Sequence, residues 1–260
     1  MSGVPRCPRS SSRTPSWPDG SRAARCFAAL LLCLSAGVVR AEPITDGFET
    51  EGLDPRWNSR YATAGRVTVQ HDIVHSGTAA LRVELREGDV AMMAVDSVDT
   101  ERTEVQEADG LNPRFGETHE YAFSMYVPAN FPVSETRLVT AQWHQRCVVC
   151  LKRSPIVAQR YRRGILYITV DSAEGRITVY RHPQPIQGRW VDLRYRIRFA
   201  LTDGAVAAWL DAVQVVDYKG PLGYADDGLE IDFRFGLYRD RMATPMVIYF
   251  DDYRKERLTP

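Results

Sequence analysis

The sequence predicts an all-β domain, a jelly-roll sandwich of two antiparallel sheets. From Glu42 onward, short segments alternate apolar and polar residues at the period of two that pleating imposes, and no long helical period appears. Clusters of Gly, Pro, Asp and Ser separate these segments at short intervals, as they do in sandwiches and barrels. No internal repeat, low-complexity block or second-domain boundary interrupts residues 42–260, and that length suits one domain with a substantial core.

Residues 1–41 read as targeting sequence. Met1 to Arg25 is basic and rich in Ser, Pro and Arg, and Phe27 to Val39 is an apolar run too short to span a bilayer as a helix. The run ends at Val39-Arg40-Ala41, so the expectation is a signal peptide with a long basic leader, cut after Ala41, rather than a membrane anchor. Asp46-Gly47-Phe48-Glu49 opens the domain, and Asp54-Pro55-Arg56-Trp57 reads as a turn or one short helical turn.

Strands are expected over Arg66 to Gln70 and Ala80 to Leu85, with His75-Ser76-Gly77-Thr78 between them. Thr100 to Gln106 follows, with Arg102 and Glu104 on one face. Tyr121, Phe123, Met125 and Val127 form an apolar face closed by Pro128 and Pro132. In Leu138 to Gln145, alternation places Val139, Ala141 and Trp143 on one face and Thr140, Gln142 and His144 on the other. Ile165 to Val170 and Arg176 to Tyr180 flank a turn at 171–175. Trp190 to Phe199 alternates without error, and Thr202-Asp203-Gly204 turns it back into a strand over Val206 to Val216. Ile231 to Tyr238 and Val247 to Tyr253 complete the set.

Charge narrows the function. The leader carries six arginines and one aspartate, so of 33 basic and 33 acidic residues, 27 and 32 remain after cleavage, a net −5. A nucleic-acid binder is normally basic, so that class is set aside. Cys7, Cys26 and Cys33 leave with the leader, and Cys147 and Cys150 remain as C-x-x-C. A four-ligand zinc site needs a second pair, and a redox C-x-x-C normally opens a helix in a βαβ unit. In an oxidising compartment a Cys147–Cys150 disulfide pinning a loop is favoured over free thiols.

Three predicted strands carry polar residues that a sheet can bring together: Arg102 with Glu104, Gln142 with His144, and Arg234 with Tyr238. Gly236 leaves room between the last two for something to approach the backbone. Each pair alone also suits a solvated sheet face, a satisfied sheet histidine or a packing tyrosine. Arg194, Arg196 and Arg198, alternating along one strand, read as such a solvated face.

Together these segments resemble a known group. Arg102-Thr-Glu-Val, Gln142-Trp-His144 and Phe233-Arg-Phe-Gly-Leu-Tyr238 are similar to the three strand motifs of the jelly-roll polysaccharide lyases, in the same chain order. That group includes alginate lyases, glucuronan lyases and heparin-lyase-I-like proteins. The resemblance extends through Tyr126-Val-Pro, Trp209-Leu, Gly220-Pro221-x-Gly223-Tyr and Phe250-Asp-Asp, and so covers most of 46–255. Trp143, Arg234 and Arg239-Asp240 depart from the alginate-lyase pattern and tilt the resemblance toward the glucuronan and heparin-lyase-I-like branch.

The resemblance implies a concanavalin A-like jelly roll and a catalytic set of Arg102, Gln142, His144 and Tyr238. Arg234, Gln145 and Glu104 are placed at substrate, with Glu104 orienting Arg102. The implied reaction is β-elimination from a uronic acid, which removes the proton at C5 and expels the oxygen at C4. The carbon acid is weak because the enolate adds a second negative charge beside the carboxylate. Donors aimed at that carboxylate relieve the build-up, and one such donor is worth about 3–4 kcal/mol. Arg102 offers a fork of N–H groups and Gln142 an amide. His144 neutralises charge or takes the proton, and Tyr238 protonates the leaving oxygen and in a syn elimination also takes the proton.

No metal or organic cofactor is implied. The expected protein is a periplasmic or secreted monomer acting on an anionic polysaccharide, without a nucleic-acid partner or a membrane segment after cleavage. The main rival is a non-catalytic carbohydrate-binding jelly roll, which has no need of both His144 and Tyr238. Glu230-x-Asp232 approaches the Glu-x-Asp-x-x-Glu motif of jelly-roll glycosidases, but Arg234 and Phe235 stand where the second Glu belongs.

Overall fold

The computed structural model describes residues 42–90, 99–146 and 153–259. The expected leader (1–41) and the Cys147–Cys150 pair lie outside the described residues. The strands, in order, are β1 (Ile44–Asp46), β2 (Trp57–Tyr61), β3 (Val67–Gln70), β4 (Ala80–Leu85), β5 (Thr100–Glu107), β6 (Thr118–Val127), β7 (Leu138–Gln145) and β8 (Val157–Arg162). They continue with β9 (Ile165–Ser172), β10 (Gly175–Arg181), β11 (Arg189–Arg198), β12 (Gly204–Leu210), β13 (Val213–Gly220), β14 (Ile231–Asp240) and β15 (Met246–Leu258). The single short helix described is the 3-10 turn Asp109–Leu111, and no described helix is long and apolar enough to cross a membrane.

Two antiparallel sheets form the expected sandwich. One runs β13-β12-β11-β6-β15-β4-β3, with β1 also on β15, and the other runs β10-β9-β8-β7-β14-β5-β2. Their facing sides meet in an aromatic core. Trp143 of β7 is fully buried, with ring centroids 4.7 Å from Tyr195, 5.0 Å from Phe233 and 5.3 Å from Tyr121. Phe235 packs in the same layer, edge-on to Trp57 and tilted against Phe250. Burial of this apolar surface is what drives the sheets together. Arg194 and Arg196 pair with Glu120 and Arg198 with Asp203, so that strand face is solvated as expected.

Four departures from the expected elements have local causes. The strand expected over 206–216 is a hairpin, β12 to β13, turned by Asp211 and Ala212 at φ of 48° and 65°. That is the left-handed geometry of a tight hairpin turn, built without the Asn-Gly pair that usually marks it. At 54–57 the turn is present, with Asp54 accepting from the Arg56 and Trp57 amides, but Trp57 then opens β2.

Strand β8 was not expected, because its Gln159 faces the core and spoils the alternation. The Gln159 amide donates to Thr140 Oγ1 (2.9 Å) and accepts from the Tyr195 hydroxyl (2.6 Å). Finally, β7 bulges. Val139 pairs with Arg160 and Ala141 with Gln159, leaving Thr140 as the extra residue. Val139 therefore opposes Tyr238 instead of sharing the Ala141 and Trp143 face.

Gly236 also has a structural explanation. Its φ is +139°, and an added Cβ would lie 2.3 Å from the Thr103 carbonyl oxygen and 2.8 Å from Glu104 Cα. The room it leaves is filled by the backbone of β5, not by a ligand. Gly236→Ala is expected to push β14 off β5 and cost about 2–4 kcal/mol of stability, combining backbone strain with overpacking. A lower urea midpoint is the readout, and an unchanged midpoint would contradict this packing.

Candidate active site

The outer face of the β10-to-β2 sheet gathers the residues singled out from the sequence. Cross-strand register does the gathering. Tyr238 on β14 faces Arg102 on β5, while Arg234 faces Gln142 and Asp232 faces His144 on β7. Side chains directly opposed across antiparallel strands share a face, so Arg102, Gln142, His144, Arg234 and Tyr238 stand together.

Glu104 lies at the base of the group with no exposed surface. Its Oε1 accepts from the Gln142 amide at 2.5 Å, and its Oε2 lies 3.5 Å from Arg102. Burial raises its carboxyl pKa, while Arg102 and Arg234 pull it back toward the ionised form. Both of its carboxylate oxygens are thus turned to neighbouring side chains rather than to a ligand. It orients Arg102 and Gln142, and its assignment to substrate contact is corrected accordingly.

Arg234 is bound to Asp232 through two contacts of 2.8 Å. Burial lowers its pKa, but Asp232, Tyr61 and Glu104 outweigh that and leave it raised, so it is a fixed cation. The guanidinium groups alternate with aromatic rings. Arg102 lies 4.0 Å from the Tyr238 centroid and 5.2 Å from Tyr61, Arg234 lies 4.0 Å from Tyr61, and Arg137 lies 4.6 Å from Tyr238. Tyr61 and Arg137 were not singled out from the sequence. Tyr61 closes β2, where no strand was expected, and Arg137 precedes β7 by one residue.

His144 is half-buried, with Nδ1 2.7 Å from the Gln145 carbonyl and Nε2 3.3 Å from that of Arg153. Burial and then Arg234 lower its pKa from the ordinary histidine value, despite the opposing pull of Asp232. Tyr238 is also half-buried. Gln145 is not brought to the site. One residue on from His144, it points to the opposite face, where its amide bonds to Tyr224 O (2.7 Å), Gly228 O (2.8 Å) and Tyr224 N (2.8 Å). It clamps the loop before β14, and its expected substrate role is corrected to this one.

Two other arrangements lack the donors for a uronate. Glu230 pairs with Arg114 and Arg146, and Asp232 with Arg234, so the glycosidase-like carboxylates are already engaged. On the other sheet, a depression of about 400 Å³ is lined by His75, Ser124, Asp192, Arg194, Trp209 and Asp252. There Ser124 donates to Asp192, His75 bridges Asp192 and Asp252, and Arg194 is held over Trp209 and against Glu120. Among the described residues no cluster of His, Cys, Asp and Glu is arranged to hold a metal.

Solved structures share the architecture. An endo-β-1,4-glucuronan lyase from the fungus Trichoderma reesei superposes with a TM-score of 0.63 at 18% identity, over 84% of this chain and 95% of its own. A GH131 β-glucanase catalytic domain from Podospora anserina gives 0.57 at 12%, over 79% and 86%. An alginate lyase of polysaccharide lyase family 7 gives 0.56 at 14%, over 76% and 86%. At these identities the likeness is one of fold, and the fold alone hosts more than one chemistry. No curated protein matches the sequence. The polysaccharide lyase family model matches residues 45–254, which takes in both sheets and every residue of the site, and the chain belongs to that family.

Proposed function

We propose that this lyase cleaves a uronate-containing polysaccharide by β-elimination on the face built by Arg102, Gln142, His144 and Tyr238. One observation carries the reading. Arg102 and Tyr238 are register partners, with Gln142 held on the same face by Glu104. A donor pair for a carboxylate thus stands beside a phenol able to exchange a proton. Arg102 and the second amide N–H of Gln142 face the carboxylate and stabilise the enolate that forms as the C5 proton passes to the neutral His144 imidazole, or to Tyr238 in a syn elimination. Tyr238, held against Arg102 and Arg137, delivers a proton to the C4 oxygen as the C4–O bond breaks. The glucuronan-lyase neighbour and the Arg234 and Trp143 departures favour glucuronan over alginate as substrate. The basic leader followed by a short apolar run supports an exported protein, periplasmic or secreted.

A panel of glucuronan, alginate and heparin followed by ultraviolet absorbance tests the reading. The expected result is a rising chromophore from the new C4–C5 double bond on at least one polymer. Binding without that chromophore would establish the carbohydrate-binding alternative instead.

His144 gives the reaction a pH signature. Its pKa lies below the ordinary value of 6.5, so the neutral ring persists into mildly acidic solution. If the neutral imidazole serves the reaction, kcat/KM holds steady above 6.5 and falls only as pH drops through that lowered value. The same depression means that its contribution to stability is complete above 6.5 and is lost as pH falls through the folded-state pKa. A pH profile whose acid limb lies above 6.5, or one unchanged in His144→Ala, would remove His144 from the mechanism.

A further inference from the structure

Arg160 is a buried cation that the reaction as described does not use. It lies on β8, and Val139 is the register partner of both Arg160 and Tyr238. With strands about 4.8 Å apart, the two residues stand about 10 Å apart across the sheet. Its neighbours Gln159 and Tyr161 turn into the core, toward Tyr195 and Phe131, so Arg160 turns outward with Tyr238. Register continues from Arg160 to Tyr167 and then to Arg181. One row perpendicular to the strands therefore carries Arg102, Tyr238, Arg160, Tyr167 and Arg181.

The nearby carboxylates are taken by other arginines. Asp171 pairs with Arg176 at 3.0 Å and Asp240 with Arg137 at 2.7 Å. Arg160 is 3% exposed, and among the described residues it forms no ion pair. The hydrogen bond its guanidinium makes runs from Nε to Thr169 Oγ1 at 3.0 Å. Burial, and then Arg176, lower its pKa to about 10, so it keeps its charge at neutral pH. A buried cation without a counter-ion costs several kcal/mol. An anionic group brought against it offsets that cost.

We propose that Arg160 binds the carboxylate of a uronate unit lying beyond the reacting sugar, with Tyr167 and Arg181 extending the track, so that the polymer crosses the strands of this sheet. The inference rests on reading the Tyr238 face as the uronate site, and its test is arranged to separate the two. In a Tyr238→Phe background, glucuronan binding is measured calorimetrically with and without Arg160→Gln, beside a neutral glucan of the same length. Loss of a charge-assisted hydrogen bond predicts about 10- to 100-fold weaker glucuronan binding and no change for the glucan. That result supports the Arg160 subsite even if no polymer is cleaved.

In the Tyr238-containing enzyme the same substitution is expected to raise KM by a similar factor with little change in kcat, and Arg160→Lys to recover part of the loss. The melting temperature separates binding from a structural role. Removing an uncompensated buried charge leaves it unchanged or raised. Equal glucuronan binding with and without Arg160, or a lower melting temperature for both variants, would overturn the proposal.

Discussion

Tyr238→Phe is expected to lower kcat about 10²- to 10⁴-fold, the usual contribution of one positioned acid–base group, while polymer affinity stays within a few-fold. The substitution removes one hydroxyl and keeps the ring that Arg102 and Arg137 lie against. The half-buried position and the β14 register with β5 are backbone properties that Phe preserves. Activity lost while affinity holds is therefore chemical in origin. Product formation by ultraviolet absorbance and affinity by calorimetry separate the two terms. A variant with full kcat would move the proton transfer to another group, with His144 the first to examine.

Glu104→Ala is expected to have the largest effect on stability, a loss of about 3–5 kcal/mol, because it removes one partner of a buried charge cluster. In the intact protein Glu104 and Asp232 offset Arg102 and Arg234, with Gln142 satisfying Oε1. Without Glu104, Asp232 faces two buried guanidinium groups and the Gln142 amide loses its acceptor. Glu104→Gln keeps the volume and a hydrogen-bonding group, so it is expected to cost clearly less. Guanidinium unfolding of both variants checks the order. A Glu104→Ala protein as stable as its parent would mean that the arginines do not depend on this carboxylate.

Much of the fold was legible because most strands keep one face in the core and one outside. Trp190 to Phe199 lies within one residue of β11, and Leu138 to Gln145 coincides with β7. Legibility failed where a polar residue entered the core, as Gln159 does in β8, or where a hairpin lacked its usual residues, as at Asp211 and Ala212.

The site follows the same physics. Pleating groups Gln142 with His144, and that alternation also sends Gln145 to the far face, so its parity argued against a substrate role from the start. Tyr61, Arg137 and Arg160 were not legible, because a sequence does not show which strands become neighbours. Only the β2-β5 and β8-β7-β14 pairings bring them to the Tyr238 face. The function of Gly236 was half visible. A close approach was expected, but the approaching group is the β5 backbone.

The most direct measurement of the central claim is the mass of the products released from glucuronan by the wild-type chain. β-Elimination splits the C4–O bond without adding water, so each new non-reducing end is one water lighter than its hydrolytic counterpart and carries the C4–C5 double bond. The arrangement of Arg102, Gln142, His144 and Tyr238 predicts these unsaturated products, and their disappearance in Tyr238→Phe. Saturated fragments of full hydrolytic mass would contradict it.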